Sequence, residues 1–165
     1  MIIIHTIIDK IRSDWMRQCD SILKNYSLFK GKSILLDESI SYYMGLGEAA
    51  IYWLKDMPFP PFSLGIQEKE LSNYFMDLFW NHSYREKNSF YNPLKESQEI
   101  CYELVIAHML YPDYYFSLVE DIMNDRCDSS VLKQVIARAS EYEEYLSYFL
   151  NTIKSFYPIK KNLPF

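Results

Sequence analysis

The stretch at residues 33–55, SILLDESISYYMGLGEAAIYWLK, decides the fold that this sequence predicts. Its apolar residues surround nearly the whole helical circumference, which is typical of a helix inside a core rather than on its surface. Gly45 and Gly47 make the middle of this helix thin, at a propensity cost of about 1 kcal/mol per glycine. Small side chains there let a crossing helix approach closely. We therefore expect a central helix from about Ser33 to Lys55.

Helical periodicity recurs on both sides of the central helix. Before it, apolar side chains spaced three to four residues apart form one stripe from about Ile4 to Lys24, and Gly31 is expected to end this first helix. No strand-type alternation persists anywhere. The sequence therefore predicts an all-α fold, an irregular bundle of about six helices. After the central helix, the expected helices cover about 67–82, 93–110, 113–124 and 129–157.

The clearest interruption of the helical pattern lies at residues 57–62, Met-Pro-Phe-Pro-Pro-Phe. Three prolines within four residues exclude a helix and favour an extended connection between an N-terminal helix pair and the C-terminal helices. The two phenylalanines favour burial, so this connection is expected to pack on the bundle. Because the chain has 165 residues, the two parts are too small to be separate domains, and one domain is expected over 1–165.

The net charge of the chain indicates which class of partner it binds. There are 17 basic and 22 acidic residues, for a net charge of −5. The basic clusters, at Lys30/Lys32 and Lys160/Lys161, are too small to neutralise a nucleic-acid backbone. An acidic domain instead attracts basic proteins, mainly by raising the association rate. A membrane partner is not expected either, because the apolar runs are far shorter than the roughly 20 residues of a spanning helix.

Cysteine usage favours a reducing compartment. The chain has three cysteines with wide spacings and no Cys-x-x-Cys pair, which is typical of free thiols. At the N-terminus, Asp9 and Lys10 come too early for the apolar segment of a signal peptide. We expect a cytoplasmic protein.

Motifs for a cofactor are not found. Gly31-Lys32-Ser33 ends like a phosphate-binding loop, but Tyr26 stands where that motif needs its first glycine. The histidines show no metal-ligand spacing to one another or to a carboxylate: His5, His82 and His108. We expect neither a cofactor nor a metal.

Two polar residues, His108 and Glu48, lie in apolar segments, and each has either a catalytic or a structural role to be weighed. His108 shares a predicted helical face with Cys101, but seven residues of helix separate the two by about 10.5 Å, too far for a nucleophile and its base. We expect His108 to be a core histidine that is hydrogen-bonded to a neighbour. Glu48 lies in the most apolar helix, where a buried carboxylate needs a partner, and Arg138 is the expected one.

Tyrosine is the compositional outlier, with 15 residues. Tyrosine offers a large contact area at a small entropy cost, and neighbouring carboxylates steer a basic partner. The alternative interpretation is a solvated acidic face with scattered tyrosines, from a genome whose codon usage favours them. Helical wheels of the last two helices place one set of such residues outward, and we predict that these bind the partner: Tyr114, Asp121, Asp125, Glu141, Glu144, Tyr145 and Tyr148.

Three functions compete. The first is a non-enzymatic acidic binding protein, a bacterial immunity protein or antitoxin that neutralises a basic, nuclease-type toxin domain, because nucleases are basic where they hold phosphates. The second is a secretion chaperone or adaptor, with the 57–62 connection as its contact. The third is a small enzyme whose polar site surrounds His82, Tyr84 and Arg85.

Overall fold

The computed structural model describes residues 2–55, 57, 65–81 and 100–165. Within these ranges there is no strand, so the predicted all-α fold is confirmed. A single 3₁₀ turn at Ser129–Val131 precedes α6. The helices are α1 (Ile2–Phe29), α2 (Ile34–Trp53), α3 (Ile66–Trp80), α4 (Tyr102–Leu110), α5 (Asp113–Met123), α6 (Leu132–Ala137) and α7 (Ala139–Lys154).

The central position of α2 follows from its sequence. Ser33 caps its first turn, with the side-chain oxygen accepting a hydrogen bond from the Leu36 amide at 3.3 Å. A Cβ atom added at Gly47 would lie 3.2 Å from both the Cys19 sulfur and the Phe116 ring, so α1 and α5 approach α2 closely at this glycine. Gly45 instead has nothing within 4 Å of its Cβ position. The predicted close crossing therefore depends on Gly47.

The turn between α1 and α2 is held by one carboxylate. Gly31 has a φ of 89°, a conformation that favours glycine, and it follows the end of α1 as expected. The Asp37 carboxylate accepts hydrogen bonds from the Gly31 amide at 3.1 Å and from the Tyr26 hydroxyl at 2.6 Å. The helix α1 ends at Phe29 rather than near Lys24.

The long last helix expected over 129–157 is interrupted, so that prediction is wrong. Arg138 leaves the helical conformation (φ −102°, ψ 10°) and separates α6 from α7. Its guanidinium lies 3.9 Å above the Phe79 ring and donates to the Phe79 carbonyl at 2.9 Å and to the Trp80 carbonyl at 3.3 Å. Arg138 therefore caps the C-terminal end of α3. The predicted pair with Glu48 is also wrong, because Glu48 is exposed and Arg138 pairs with Glu141 at 3.0 Å.

Six of the thirteen described tyrosines are buried in the core, and hydroxyl groups of this set join helices. The Tyr142 hydroxyl donates to the Met109 carbonyl at 2.5 Å, and the Tyr145 hydroxyl donates to the Phe75 carbonyl at 2.6 Å. Each bond satisfies a buried polar group on a neighbouring helix. The tyrosines that are at most 4% exposed are Tyr43, Tyr102, Tyr111, Tyr115, Tyr142 and Tyr145.

The C-terminal segment after α7 packs back on the bundle. Ile159 is buried, and the Lys161 ammonium donates to the carbonyls of Trp53 and, at 3.0 Å, of Lys55. A cation at these carbonyls complements the negative end of α2.

None of the described helices is both long and apolar enough to cross a membrane. In the predicted connection at 57–62, Met57 is buried, and its other residues lie outside the described ranges.

Candidate functional site

Part of the predicted partner-binding set does form an outer surface on α7. Glu144 is exposed, and Tyr148, one helical turn later, is 61% exposed. Glu141 is half-buried beside the Arg138 guanidinium. A fourth member, Glu143, was not predicted; it accepts a 2.5 Å hydrogen bond from the Tyr42 hydroxyl of α2. We call Tyr42, Glu141, Glu143, Glu144 and Tyr148 the α7 surface.

The α7 surface has a consistent electrostatic character. Its three glutamates lie in the N-terminal half of α7, and Glu141 is in the first turn, where the helix dipole favours negative charge. Partial burial raises the pKa of Tyr42 well above its usual range, and the hydrogen bond to Glu143 raises it further. The Tyr42 hydroxyl therefore stays protonated and keeps Glu143 in place at neutral pH.

The prediction that Tyr145 and Tyr114 point outward is wrong. Tyr145 is 3% exposed, and its ring lies 5.2 Å from the Phe79 ring. Tyr114 is half-buried between Trp80, at 5.1 Å, and Tyr142, at 5.7 Å. A helical wheel places both on the outer side of their own helices, but α3 covers that side, which no single-helix pattern reveals.

The two predicted aspartates of α5 lie apart from the contact between α5 and α7. That contact is the Tyr114–Tyr142 ring pair, near the N-terminal ends of both helices. Asp121 is about 10.5 Å further along α5 than Tyr114, and its carboxylate is paired with Arg126 at 3.2 Å. Asp125 is exposed just beyond the helix, with a φ of 58°. The predicted set therefore divides into separate patches.

A second candidate site is a cleft of about 580 Å³ that sequence patterns did not indicate. It lies where α1, α3, α4 and α5 meet, and it combines aromatic rings with charged side chains. We call it the aromatic cleft, and its lining residues are Asp14, Trp15, Arg17, Gln18, Ser21, Lys69, His108, Tyr111, Asp113 and Glu120.

Three rings form the floor of the aromatic cleft. Trp15 stacks on Tyr111 with ring centroids 4.3 Å apart and an interplanar angle of 5°. The edge of the His108 ring meets Trp15 at 5.4 Å. Because Tyr111 is 1% and His108 8% exposed, the floor is held by the core on its inner side, while Trp15 is half-buried.

Gln18 ties α1 to α5 along one edge of the cleft. Its side-chain carbonyl accepts a hydrogen bond from the Tyr111 hydroxyl, and its amide nitrogen donates to Glu120 at 3.1 Å. This chain fixes the orientation of the amide group and of the Tyr111 ring. Burial raises the pKa of Tyr111, and Cys19, Asp113 and Glu120 raise it further, so the hydroxyl remains a donor.

His108 is neutral at physiological pH. Burial lowers its pKa to about 3, and the positive charge of Lys69 contributes to this. Its Nε2 atom is buried and has no hydrogen-bond partner among the described residues. The expected burial of His108 is confirmed, but the expected partner is not found there. A buried polar atom without a partner costs about 1–3 kcal/mol.

The charged groups of the cleft are separated by sign. Lys69 of α3 acts on His108 at one end, while Asp113 and Glu120 of α5 act on the Tyr111 hydroxyl at the other. On the α1 side, Asp14 is paired with Arg17 at 3.4 Å and with Lys10 at 3.7 Å. The cleft therefore presents a positive charge from α3 and negative charges from α5.

The buried thiols do not have the properties of nucleophiles. Burial raises the pKa of Cys101 to about 12, and its amide donates to the Glu68 carboxylate at 3.0 Å. Burial also raises the pKa of Cys19. Within the part of the chain that the structure describes, no three His, Cys, Asp or Glu side chains lie close enough to hold a metal ion. His82, Tyr84 and Arg85, the predicted enzymatic cluster, lie outside the described residues.

Comparison of this chain with known proteins identifies no relative: no protein-family model, no curated protein and no solved structure matches it. Its function therefore has to be inferred from its own side chains.

Proposed function

We propose that this protein is a non-enzymatic binding protein that recognises a basic protein partner through the α7 surface. The observation that carries the proposal is the exposed pair Glu144 and Tyr148 on adjacent turns of α7, in a chain of net charge −5. The role we propose is that of a bacterial immunity protein or antitoxin, acting in the cytoplasm on a nuclease-type toxin domain.

Two physical properties of the α7 surface support this role. An exposed tyrosine contributes a large contact area with little rotamer entropy to lose, and tyrosines are enriched at the energetic centres of interfaces. The surrounding carboxylates accelerate encounter with a basic protein. A nuclease domain is basic because it holds phosphates, so an acidic surface has the charge of its substrate.

Rigidity of the α7 surface also supports binding. Glu143 is held by Tyr42 and Glu141 by Arg138, so these side chains are already ordered before a partner arrives. Preordered side chains lose less entropy on association. The buried, protonated state of Cys101 supports a binding role over thiol catalysis.

The test is affinity capture from the native lysate with a matched pair of double variants. Glu144→Lys/Tyr148→Ala alters the α7 surface. Glu48→Lys/Tyr52→Ala makes the same changes on the exposed side of α2, where Tyr52 is 72% exposed. We expect the unaltered protein and the α2 variant to capture one basic protein at low salt, and the α7 variant to lose it.

The captured partner is then expressed with and without this chain. We expect growth arrest from the partner alone and rescue by coexpression, but no rescue by the α7 variant. Absence of a basic partner at low salt, or equal capture by both variants, would contradict the proposal.

A further inference from the structure

The aromatic cleft contains two opposite charges that nothing in the described structure neutralises. The Lys69 ammonium and the Asp113 carboxylate both line the cleft, and neither forms an ion pair or side-chain hydrogen bond with any described residue. They stand on different elements, Lys69 on α3 and Asp113 in the first turn of α5. Other charges of the cleft are already engaged: Asp14 by Arg17, and Glu120 by Gln18.

The aromatic rings of the same cleft offer a surface for an apolar group. The stacked Trp15 and Tyr111 rings form a flat floor, and the half-buried Trp15 is its accessible part. Gln18 fixes the Tyr111 ring through its hydroxyl group. A ligand would therefore meet a rigid aromatic floor, which lowers the entropy cost of binding.

We propose that the aromatic cleft binds a small zwitterion with an apolar or aromatic side group, the chemistry of a free amino acid. The ligand's carboxylate lies against Lys69, its ammonium against Asp113, and its side group against Trp15. The volume of about 580 Å³ is within the usual range of about 300–1,000 Å³ for small-molecule sites.

The presence of both signs of charge in the cleft favours a zwitterion over a simple ion. An anion placed at Lys69 would meet the negative potential of Asp113 and Glu120, and a cation placed at Asp113 would meet that of Lys69. A ligand with both charges gains from both side chains, and desolvation by the rings strengthens each contact. The neutral state of His108 adds no further positive charge beside Lys69.

This site is distinct from the α7 surface. It lies on α1, α3, α4 and α5, and none of its lining residues belongs to α7. Loss of partner binding through the α7 surface would therefore leave the cleft intact, and each proposal can fail without the other.

The experiment titrates each protein L-amino acid into the full chain by calorimetry and follows the melting temperature in parallel. We expect at least one with an apolar or aromatic side chain to bind with a Kd below about 1 mM and to raise the melting temperature. The N-acetyl derivative and the carboxamide of that amino acid each lack one charge. We expect each to bind about tenfold more weakly or not at all. If no amino acid binds, or if either derivative binds equally well, the proposal is wrong.

Variants of the protein test the same contacts from the other side. Lys69→Met and Asp113→Asn are each expected to weaken binding about tenfold. Lys133→Met and Asp77→Asn remove the same charges at exposed positions that do not line the cleft, and should leave the Kd unchanged. Because Lys69 and Asp113 lie outside the core, the circular dichroism spectrum should not change. Unchanged binding by the two cleft variants would overturn the assignment.

Discussion

The α7 surface and the aromatic cleft use the same residue types, tyrosine and carboxylate, in opposite ways. The first lies on the outer side of α7, joined only by Tyr42 of α2, and its Tyr148 is 61% exposed. The second is assembled from four helices around Tyr111, which is 1% exposed. A helical wheel finds Glu144 and Tyr148 of the first and nothing of the second. A pattern within one helix gives the direction of a side chain but not what another helix places over it.

The largest expected effect contrasts two tyrosines of α7 that are three residues apart. Tyr145→Ala removes a fully packed ring, and we expect the free energy of unfolding to fall by about 3–5 kcal/mol. Tyr148→Ala removes an exposed ring, and we expect a change within about 0.5 kcal/mol. Denaturant unfolding measures both. Similar losses for the two variants would mean that Tyr148 is also covered.

The second-largest expected effect is a loss of folding stability at low pH, caused by His108 of the aromatic cleft. His108 has a pKa of about 3 when folded, against about 6.5 in an unfolded chain, so the unfolded state takes up a proton first as pH falls. The native state should therefore lose about 1.4 kcal/mol per pH unit between pH 6 and 4 through this group. The stabilising contribution of neutral His108 is complete above pH 6.5.

The control for this prediction is His108→Gln, which has no titrating group there. The difference in unfolding free energy between the protein and the variant should shrink steadily from pH 6 to pH 4. Carboxylates titrate in both proteins, so their contributions to the pH dependence cancel in this difference. A difference that does not depend on pH would show that His108 is hydrated in solution.

A smaller effect contrasts two arginines. Arg138→Met removes the hydrogen bonds to the carbonyls at the end of α3 and the contact with the Phe79 ring, and we expect a loss of about 2 kcal/mol. Arg126→Met removes an exposed ion pair with Asp121, for which we expect at most about 0.5 kcal/mol. Thermal unfolding of the two variants is the measurement. Equal losses would contradict the assignment of Arg138 as the cap of α3.

The smallest effect is kinetic and applies to the α7 surface. Glu144→Lys should slow association with a basic partner about threefold at low salt and hardly at all at high salt, because counterions screen the attraction. Thermal stability should not change, since Glu144 is exposed. Stopped-flow or biosensor kinetics measure the rate. A rate that is equally reduced at every salt concentration would indicate a packing defect instead.

Local signals predicted the fold class and several helix ends with fair accuracy. Ser33 begins α2 and Gly31 follows α1, because capping and positive φ are properties of the residue itself. The uninterrupted last helix was wrong because Arg138 is drawn to the carbonyls of α3, which lie far away in sequence. The pairing of Glu48 with Arg138 failed for the same reason. The partner of a charged side chain depends on which groups the tertiary packing places beside it.

The two candidate sites also differ in whether a local sequence pattern predicts them. Glu144 and Tyr148 could be placed outward from the period of α7 alone. The cleft could not be predicted, because Trp15 and Tyr111 are far apart in the sequence and meet only when α1 packs beside α4 and α5. Tyrosine content suggested a binding surface, but six of the thirteen described tyrosines are buried, and the hydroxyl groups of Tyr142 and Tyr145 bond to other helices.

Local patterns are enough to predict an all-helical, acidic chain with a central apolar helix, because helical period, capping and charge are local properties that add along the chain. Packing between helices sets which tyrosines are covered, where α6 and α7 separate, and that Lys69, His108 and Asp113 line one cleft. Those outcomes depend on contacts between helices, whose energies exceed local preferences and whose partners no sequence window contains.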